Sequence, residues 1–244
     1  MKISTIIPCL NESRIIATAI RRAWEARADE VIVVDGGSHD GTDVIASGCP
    51  CQLLHADAGR GVQQNAGAEV ATGDILLFLH ADNWLEDDGT EAIRQIMKSE
   101  KIQFGAFCQK IDAVGLKYRA LEFGNWLRAK ILAVPYGDQG LFMRRETFFA
   151  VGGFQDLRLM EDVALVRKLR RRWRPQILKG PLHVDARRWQ HVGVVRQTLR
   201  NWLFLIRYFF LGVSPNLLAK DYYKERDDAV VINDLAHQEA DHSV

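Results

Sequence analysis

Strong charge of either sign is missing from this chain. Its 32 lysines and arginines face 31 aspartates and glutamates, for a formal net charge of +1. Such a balance gives no general attraction for nucleic acid or for a strongly acidic partner. Cysteine is scarce: only Cys9, Cys49, Cys51 and Cys108 are present. Cys49 and Cys51 flank Pro50 alone, which is neither zinc-knuckle spacing nor a Cys-x-x-Cys redox pair. All four read as small buried apolar side chains in a reducing compartment. No run is apolar over the thickness of a bilayer. The stretch 199–213 comes nearest, but it is too short and Arg200 and Arg207 interrupt it. No signal peptide is expected, because Met1-Lys2 leads directly into a strand-like run. No internal repeat or low-complexity tract is visible. These absences predict a cytoplasmic protein, peripheral at most on the inner face of the membrane.

What is present centres on Ile75-Leu76-Leu77-Phe78-Leu79-His80-Ala81-Asp82. Five consecutive large apolar residues suit a strand covered on both faces, as in the middle of a parallel sheet. The run ends in His80 and Asp82, and open α/β sheets bind ligands beyond the carboxyl ends of their strands. Taken alone, Asp82 reads equally as the start of a turn.

Other runs end the same way. Ile3 to Leu10 is a strand broken by Pro8. Asn11 is read as the N-cap of a helix carrying Ile15, Ile16, Ala19, Ile20, Ala23 and Trp24 at helical spacing. Val31-Ile32-Val33-Val34 ends in Asp35 and passes into Gly36-Gly37-Ser38-His39-Asp40-Gly41-Thr42, where glycine lets backbone approach a ligand closely. This corner has neither the order of a dinucleotide-binding turn nor that of a P-loop. A short helix over 40–46 and a strand over 52–54 follow. Arg60 heads a helix through Ala71, with Gly73 as its stop. Its guanidinium suits phosphate, or is an ordinary surface charge. Four βα-like units in the first hundred residues predict an α/β fold: a mixed, mainly parallel sheet with helices on both faces. With 244 residues there is material for one large α/β domain or two small ones.

Three segments together resemble family 2 glycosyltransferases of the GT-A fold: Ile7-Pro8-Cys9-Leu10-Asn11-Glu12, Val33 through Thr42, and Phe78-Leu79-His80-Ala81-Asp82. The Gly59 to Gly67 segment, with Arg60, Gln64 and Asn65, fits the same family. The resemblance implies that Pro8, Asn11, Glu12 and Asp35 contact the base and ribose of a nucleotide-sugar donor, with Arg60 nearby. It maps the family's Asp-x-Asp signature onto His80-Ala81-Asp82. That makes Asp82 the ligand of a divalent cation, Mg²⁺ or Mn²⁺, shared with the donor diphosphate. His80 stands where the family often has its first aspartate.

The second half carries weaker matches. A strand is expected over 102–112 and a helix over 115–132, with Leu116, Leu121, Phe123, Trp126, Leu127 and Ile131 as its apolar pattern and Lys117, Arg119, Arg128 and Lys130 interleaved. Asp138 and Gln139 fall where the family faces sugar and acceptor. Val151-Gly152-Gly153-Phe154 reads as a turn with an aromatic plug, before Glu161-Asp162 opens a helix through Arg172. Asp162 matches the family's general base, a carboxylate that takes the acceptor's proton; Glu161 reads as a cap. His183 is either a further metal ligand or a structural histidine. Arg187 and Arg188 suit a diphosphate, an anionic acceptor or solvent. The aromatic stretch 199–213 is a core or homodimer helix, or else lies at a membrane surface.

The domain expected is a single one over 1–223: a donor-binding half (1–100), an acceptor and catalytic half (101–190) and an aromatic C-terminal helix (191–223). A charged, mobile tail over 224–244 follows. The reaction implied is inverting transfer of a hexose-type sugar, with UDP as the favoured carrier, to a hydroxyl acceptor. The alternatives are an inactive nucleotide-sugar-binding or membrane-associated scaffold and a nucleotidyltransferase. Asn11-Glu12-Ser13 counts against the last, standing where such an enzyme has a glycine-rich basic loop.

Overall fold

A computed structural model describes residues 1–186. Beyond them it describes 193, 198, 200, 203, 204, 206–208, 211–215, 217–219 and 221. Arg187, Arg188, Trp202, Phe209, Phe210 and the tail over 224–244 lie outside the described residues.

The elements follow in order: β1 (Ile3–Cys9), α1 (Ile16–Glu25), β2 (Glu30–Asp35), α2 (Thr42–Ser47), β3 (Gln52–His55), α3 (Arg60–Val70), β4 (Ile75–Phe78) and β5 (Asn83–Leu85). Then come α4 (Gly89–Met97), β6 (Phe104–Ile111), α5 (Leu116–Ile131), a 3-10 turn (Gly137–Gln139), β7 (Leu141–Arg144), α6 (Arg145–Ala150), α7 (Glu161–Leu169) and β8 (Gln176–Val184). The eight strands form one sheet in the order β3-β2-β1-β4-β7-β6-β8-β5.

Alternation along the strands builds a core on each face. Ile3 and Ile7 of β1, Val31 and Val33 of β2, and Ile75 and Leu77 of β4 point to one side. They pack there against Ile16, Ile20 and Ala23 of α1, Ala46 of α2, and Ile93 and Met97 of α4. Ile6, Ile32, Val34, Leu76 and Phe78 point to the other side, against Ala68 of α3, Phe148 of α6, and Leu165 and Leu169 of α7. Helices therefore cover both faces, as the apolar runs imply. α3 lies so close to the sheet that a Cβ on Gly67 would come within 2.6 Å of the Ile6 Cγ2.

The first four strands of the sheet are parallel. β7 then pairs antiparallel with both β4 and β6, β6 with β8 parallel, and β5 antiparallel with β8. Between β1 and β4 the winding reverses, since the chain proceeds from β1 to β2 and β3 on one side and returns to β4 on the other. A crevice opens beyond the carboxyl ends of strands at such a reversal.

Several expectations are corrected. Asn11 is not a helix cap: α1 begins at Ile16, and Asn11 sits at φ +55° with its carboxamide turned to another corner. α7 stops at Leu169, short of Arg172. Only Cys9 is fully buried; Cys49, Cys51 and Cys108 are half-buried, and all four are free thiols. The helix expected over 115–132 is present as α5, and much of its apolar stripe is turned outward. Its inward face carries Tyr118, Asn125, Arg128 and Ala129, whereas Leu116, Phe123, Leu127 and Ile131 are exposed. The apolar spacing is helical as expected, but it faces outward.

Candidate active site

Two neighbouring corners form the first wall of the crevice, and they are stitched together. The Asn11 amide donates to the Ser38 hydroxyl at 2.9 Å, and its Oδ1 accepts the His39 N–H at 2.9 Å. The Glu12 amide donates to Thr42 Oγ1 at 2.8 Å, and the Ser13 amide to Asp40 at 3.0 Å. Asp35, the last residue of β2, is almost wholly buried. Its carboxylate accepts the amides of Gly37 and Ser38 at 2.9 Å each, and the Ser38 hydroxyl as well. Burial alone raises its pKa, but the hydrogen bonds from Ser38 and Gly37 outweigh it and the net shift is downward. Asp35 is therefore a fixed negative charge at the strand end. Beneath it the Cys9 thiol is driven upward by burial and by the Asp35 charge, which keeps it protonated.

α3 supplies the floor. Buried Gln63 donates at 2.8 Å to the carbonyls of both Cys9 and Val34, tying α3 to the ends of β1 and β2. Asn65 exchanges two bonds with Phe154, donating to its carbonyl at 2.9 Å and accepting its amide at 3.0 Å. This clamps the aromatic plug, whose ring meets Phe78 edge-on at 5.0 Å between centroids. Arg60, the first residue of α3, reaches Glu161 at 4.0 Å.

The second wall is a chain of hydrogen bonds. Past β4 the Asn83 amide donates to the His80 carbonyl at 3.0 Å, turning the chain at half-buried Asp82. The Asp185 amide, just beyond β8, donates to the Asp82 carbonyl at 3.2 Å. Asn83 and Gln109 both donate to the Asp138 carbonyl, at 2.9 and 3.0 Å. One residue earlier, the Gly137 amide donates to Asp162 Oδ2 at 2.5 Å, and Asp162 Oδ1 accepts the Val163 amide at 2.7 Å. Asp82, the 137–139 turn and Asp162 are thus joined by successive contacts, although they lie far apart in sequence.

Asp138 and Gln139, expected as a pair, divide. Asp138 is half-buried at the crevice turn. Gln139 is fully buried and used up internally: its Oε1 accepts Arg128 at 2.9 Å and the Tyr136 amide at 3.0 Å, and its Nε2 donates to the Phe107 carbonyl at 3.3 Å. Its contribution is to hold the turn. His183 stacks on Trp84 at 5.2 Å and meets Glu86 at 3.0 Å. Among the described residues no group of three or more His, Cys, Asp and Glu is arranged to hold a metal. A cation at Asp82 would need oxygens from a bound ligand to complete its shell. That donor set, carboxylate plus phosphate, suits Mg²⁺ or Mn²⁺.

Two residues gain importance that sequence pattern did not give them. Arg128 is buried beneath the 136–139 turn, with its guanidinium 3.3 Å from the centre of the Tyr136 ring and donating to the Val134 carbonyl and to Gln139. Burial lowers its pKa, opposed by Tyr136, Asp138 and Asp162. The Tyr136 hydroxyl is pushed up to about 12 by burial, against the pull of Arg128. Its sequence signal was faint: Tyr118, Glu122, Asn125 and Arg128 share a helical face of polar residues. Asp185 is the second: just beyond β8, its backbone is bonded to that of Asp82.

Glu161 is no simple cap. It is buried, and burial first, then the Asp162 charge, push its pKa up to about 7 from the ordinary 4.5, with Arg60 opposing. From pH 4.5 to about 7 the folded chain holds more proton here than the unfolded chain does, so stability falls as pH rises through that window. Glu161→Gln is expected to flatten this slope, read from urea midpoints on both sides of the window. An unchanged slope would locate the proton elsewhere.

An open α/β sheet presents a ligand crevice beyond the carboxyl ends of its strands at such a winding reversal. The chain belongs to glycosyl transferase family 2, whose model matches residues 4–158. It is 28% identical over 180 residues to the succinoglycan biosynthesis protein ExoA of Rhizobium meliloti, covering 62% of this chain and 52% of that protein. It is 38% identical over 98 residues to a PGL/p-HBAD biosynthesis glycosyltransferase of Mycobacterium bovis, covering 36% of this chain and 38% of that one. The chain thus spans about half, or less, of these curated relatives. Its fold is that of solved GT-A structures. S. aureus TarS 1-349 in complex with UDP matches with a TM-score of 0.60 at 18% identity, over 82% of this chain and 64% of that one. Glucosyl-3-phosphoglycerate synthase from Mycobacterium tuberculosis, in complex with Mg²⁺ and UDP, matches with a TM-score of 0.56 at 18% identity, over 83% and 78%. Mannosyltransferase PcManGT from Pyrobaculum calidifontis, in complex with GDP-Man and Mn²⁺, gives 0.56 at 21% identity, over 82% and 64%.

Proposed function

We propose that this chain transfers a sugar from a nucleoside-diphosphate donor, with UDP as the favoured carrier, to a hydroxyl acceptor, in one displacement that inverts the anomeric carbon. The observation that carries the reading is the path of successive contacts from Asp82 through the 137–139 turn to Asp162, in a sheet where β1 alone separates β4 from the β2 strand that ends in Asp35. In this reading Asp35, with Pro8, Asn11 and Glu12, receives base and ribose, and Arg60 lies on the diphosphate side. Asp82, whose carbonyl is held by the Asp185 amide, would hold Mg²⁺ or Mn²⁺, with the donor's phosphates supplying further oxygens. When bound, the cation offsets charge that builds on the departing diphosphate. Asp162 takes the proton of the acceptor hydroxyl. The acceptor oxygen then bonds to the anomeric carbon as the bond from that carbon to the phosphate oxygen breaks, and the electron pair leaves with the diphosphate. Glycosyltransferase relatives and neighbours bound to UDP or to GDP-Man with a divalent cation support the donor class. Among the described residues no helix is long and apolar enough to cross a membrane.

A melting-temperature screen tests the donor site: nucleoside diphosphates and sugar nucleotides, each with and without Mn²⁺. A ligand held at 100 times its Kd stabilises by about 2.7 kcal/mol, a rise of roughly 5–10 °C for a chain of this size. A metal-dependent rise with one nucleotide, absent in Asp82→Ala, is expected. No rise with any nucleotide would remove the donor site.

A further inference from the structure

We infer that the outward face of α5 is a lipid-docking surface that lays this side of the molecule on an anionic bilayer. A helix on a globular protein ordinarily buries its apolar stripe. α5 does the reverse. Leu116, Phe123 and Ile131 are 89%, 61% and 66% exposed, and Leu127 lies between them on the same stripe. Val114 before the helix and Leu132 after it are exposed too, which lengthens the patch. The inward face is held by Tyr118, Leu121 and Ala129 and by polar groups: Glu122 Oε1 accepts the Ile111 amide at 2.6 Å, Asn125 donates to Gln109 at 2.8 Å, and Arg128 holds Gln139. A contiguous apolar patch left in water marks an interaction site.

Charge selects the occupant. The exposed ionisable side chains of α5 are Lys117, Arg119 and Lys130, all cationic. Its one carboxylate, Glu122, is turned inward and paired with Arg119 at 2.9 Å. The Lys130 ammonium lies 4.9 Å from the centre of the Trp126 ring and the Lys117 ammonium 5.1 Å from that of Tyr118, cation–π contacts that keep both charges on this helix. An apolar stripe of Leu, Phe and Ile edged by cations is the composition of a helix lying in the plane of a membrane interface, with the ammonium groups at anionic headgroups. A second copy of this chain fits worse, since a self-complementary interface along α5 would bring cations against cations. In the stretch 199–213, Phe204 is buried against Leu218, Leu159 and Met160, whereas Leu203, Ile206 and Leu211 are exposed. This inference concerns a surface and stands apart from the transfer reaction.

The test is flotation of the full chain with phosphatidylglycerol–phosphatidylcholine vesicles and with phosphatidylcholine alone. The chain is expected to float with the anionic vesicles, less so at high salt. Phe123→Glu with Ile131→Glu, both exposed, should lower binding on the order of tenfold or more while the melting temperature stays near that of the parent chain. A folded double variant that floats as well as the parent overturns the inference, and so does a parent chain that ignores both vesicles. A parent dimer that ignores vesicles and is dissociated by the same two changes also overturns it and makes the face a contact between copies.

Discussion

Asp162→Asn is expected to lower turnover by about 10²–10⁴-fold, the usual contribution of a general base, while donor binding stays nearly intact. Asparagine keeps the shape and one acceptor oxygen, so the Gly137 amide at 2.5 Å can still be satisfied. What it cannot do is take a proton. Release of nucleoside diphosphate reads the rate, and calorimetry with the donor reads the affinity. Equal losses in both would make Asp162 a scaffold for the turn. A turnover that does not change would mean that the base lies elsewhere. Donor binding without any turnover, in parent and variant alike, is the signature of an inactive sugar-nucleotide-binding protein, the reading that His80 in place of an aspartate invites.

Arg128→Ala is expected to cost the fold about 2–4 kcal/mol. The guanidinium is buried, stacks on Tyr136 and donates to two acceptors under the turn that carries Asp138 and touches Asp162. Truncation removes those bonds and leaves a void among polar groups. Lysine should rescue little, because a point charge reproduces neither the stack nor the fork. Urea midpoints of the three proteins measure the loss. A cost below about 1 kcal/mol, the ordinary effect of a surface change, would mean that the turn does not depend on this side chain.

The parallel half of the fold was legible because its signals are local. An apolar run covered on both faces, a polar corner and a helical stripe occur together along the chain, and each needs only a few residues to be seen. The strand ends at Asp35 and Asp82 were readable for the same reason. The short strand β5 was not, nor was the antiparallel pairing of β7 with β4 and β6. Short strands such as Asn83–Leu85 carry little periodicity, and this one pairs with a segment about a hundred residues later. The sequence paired Gln139 with Asp138, but could not tell that Gln139 is buried and bonded to Arg128 while its neighbour is half-buried. The outward turn of the α5 stripe was not legible, for a deeper reason. Helical spacing of apolar residues identifies a helix and a face, but whether that face meets the core depends on what the other face is bonded to. Asn11 shows the same limit: a residue type that caps helices instead spends its carboxamide on the His39 amide of the neighbouring corner.

The most direct measurement is manganese anomalous diffraction from crystals of the chain grown with Mn²⁺ and UDP. The peak is expected within bonding distance of the Asp82 carboxylate and the diphosphate, with the base and ribose at the Asp35 corner. A peak bonded to neither, or a nucleotide seated away from the carboxyl ends of β1, β2 and β4, would contradict the site.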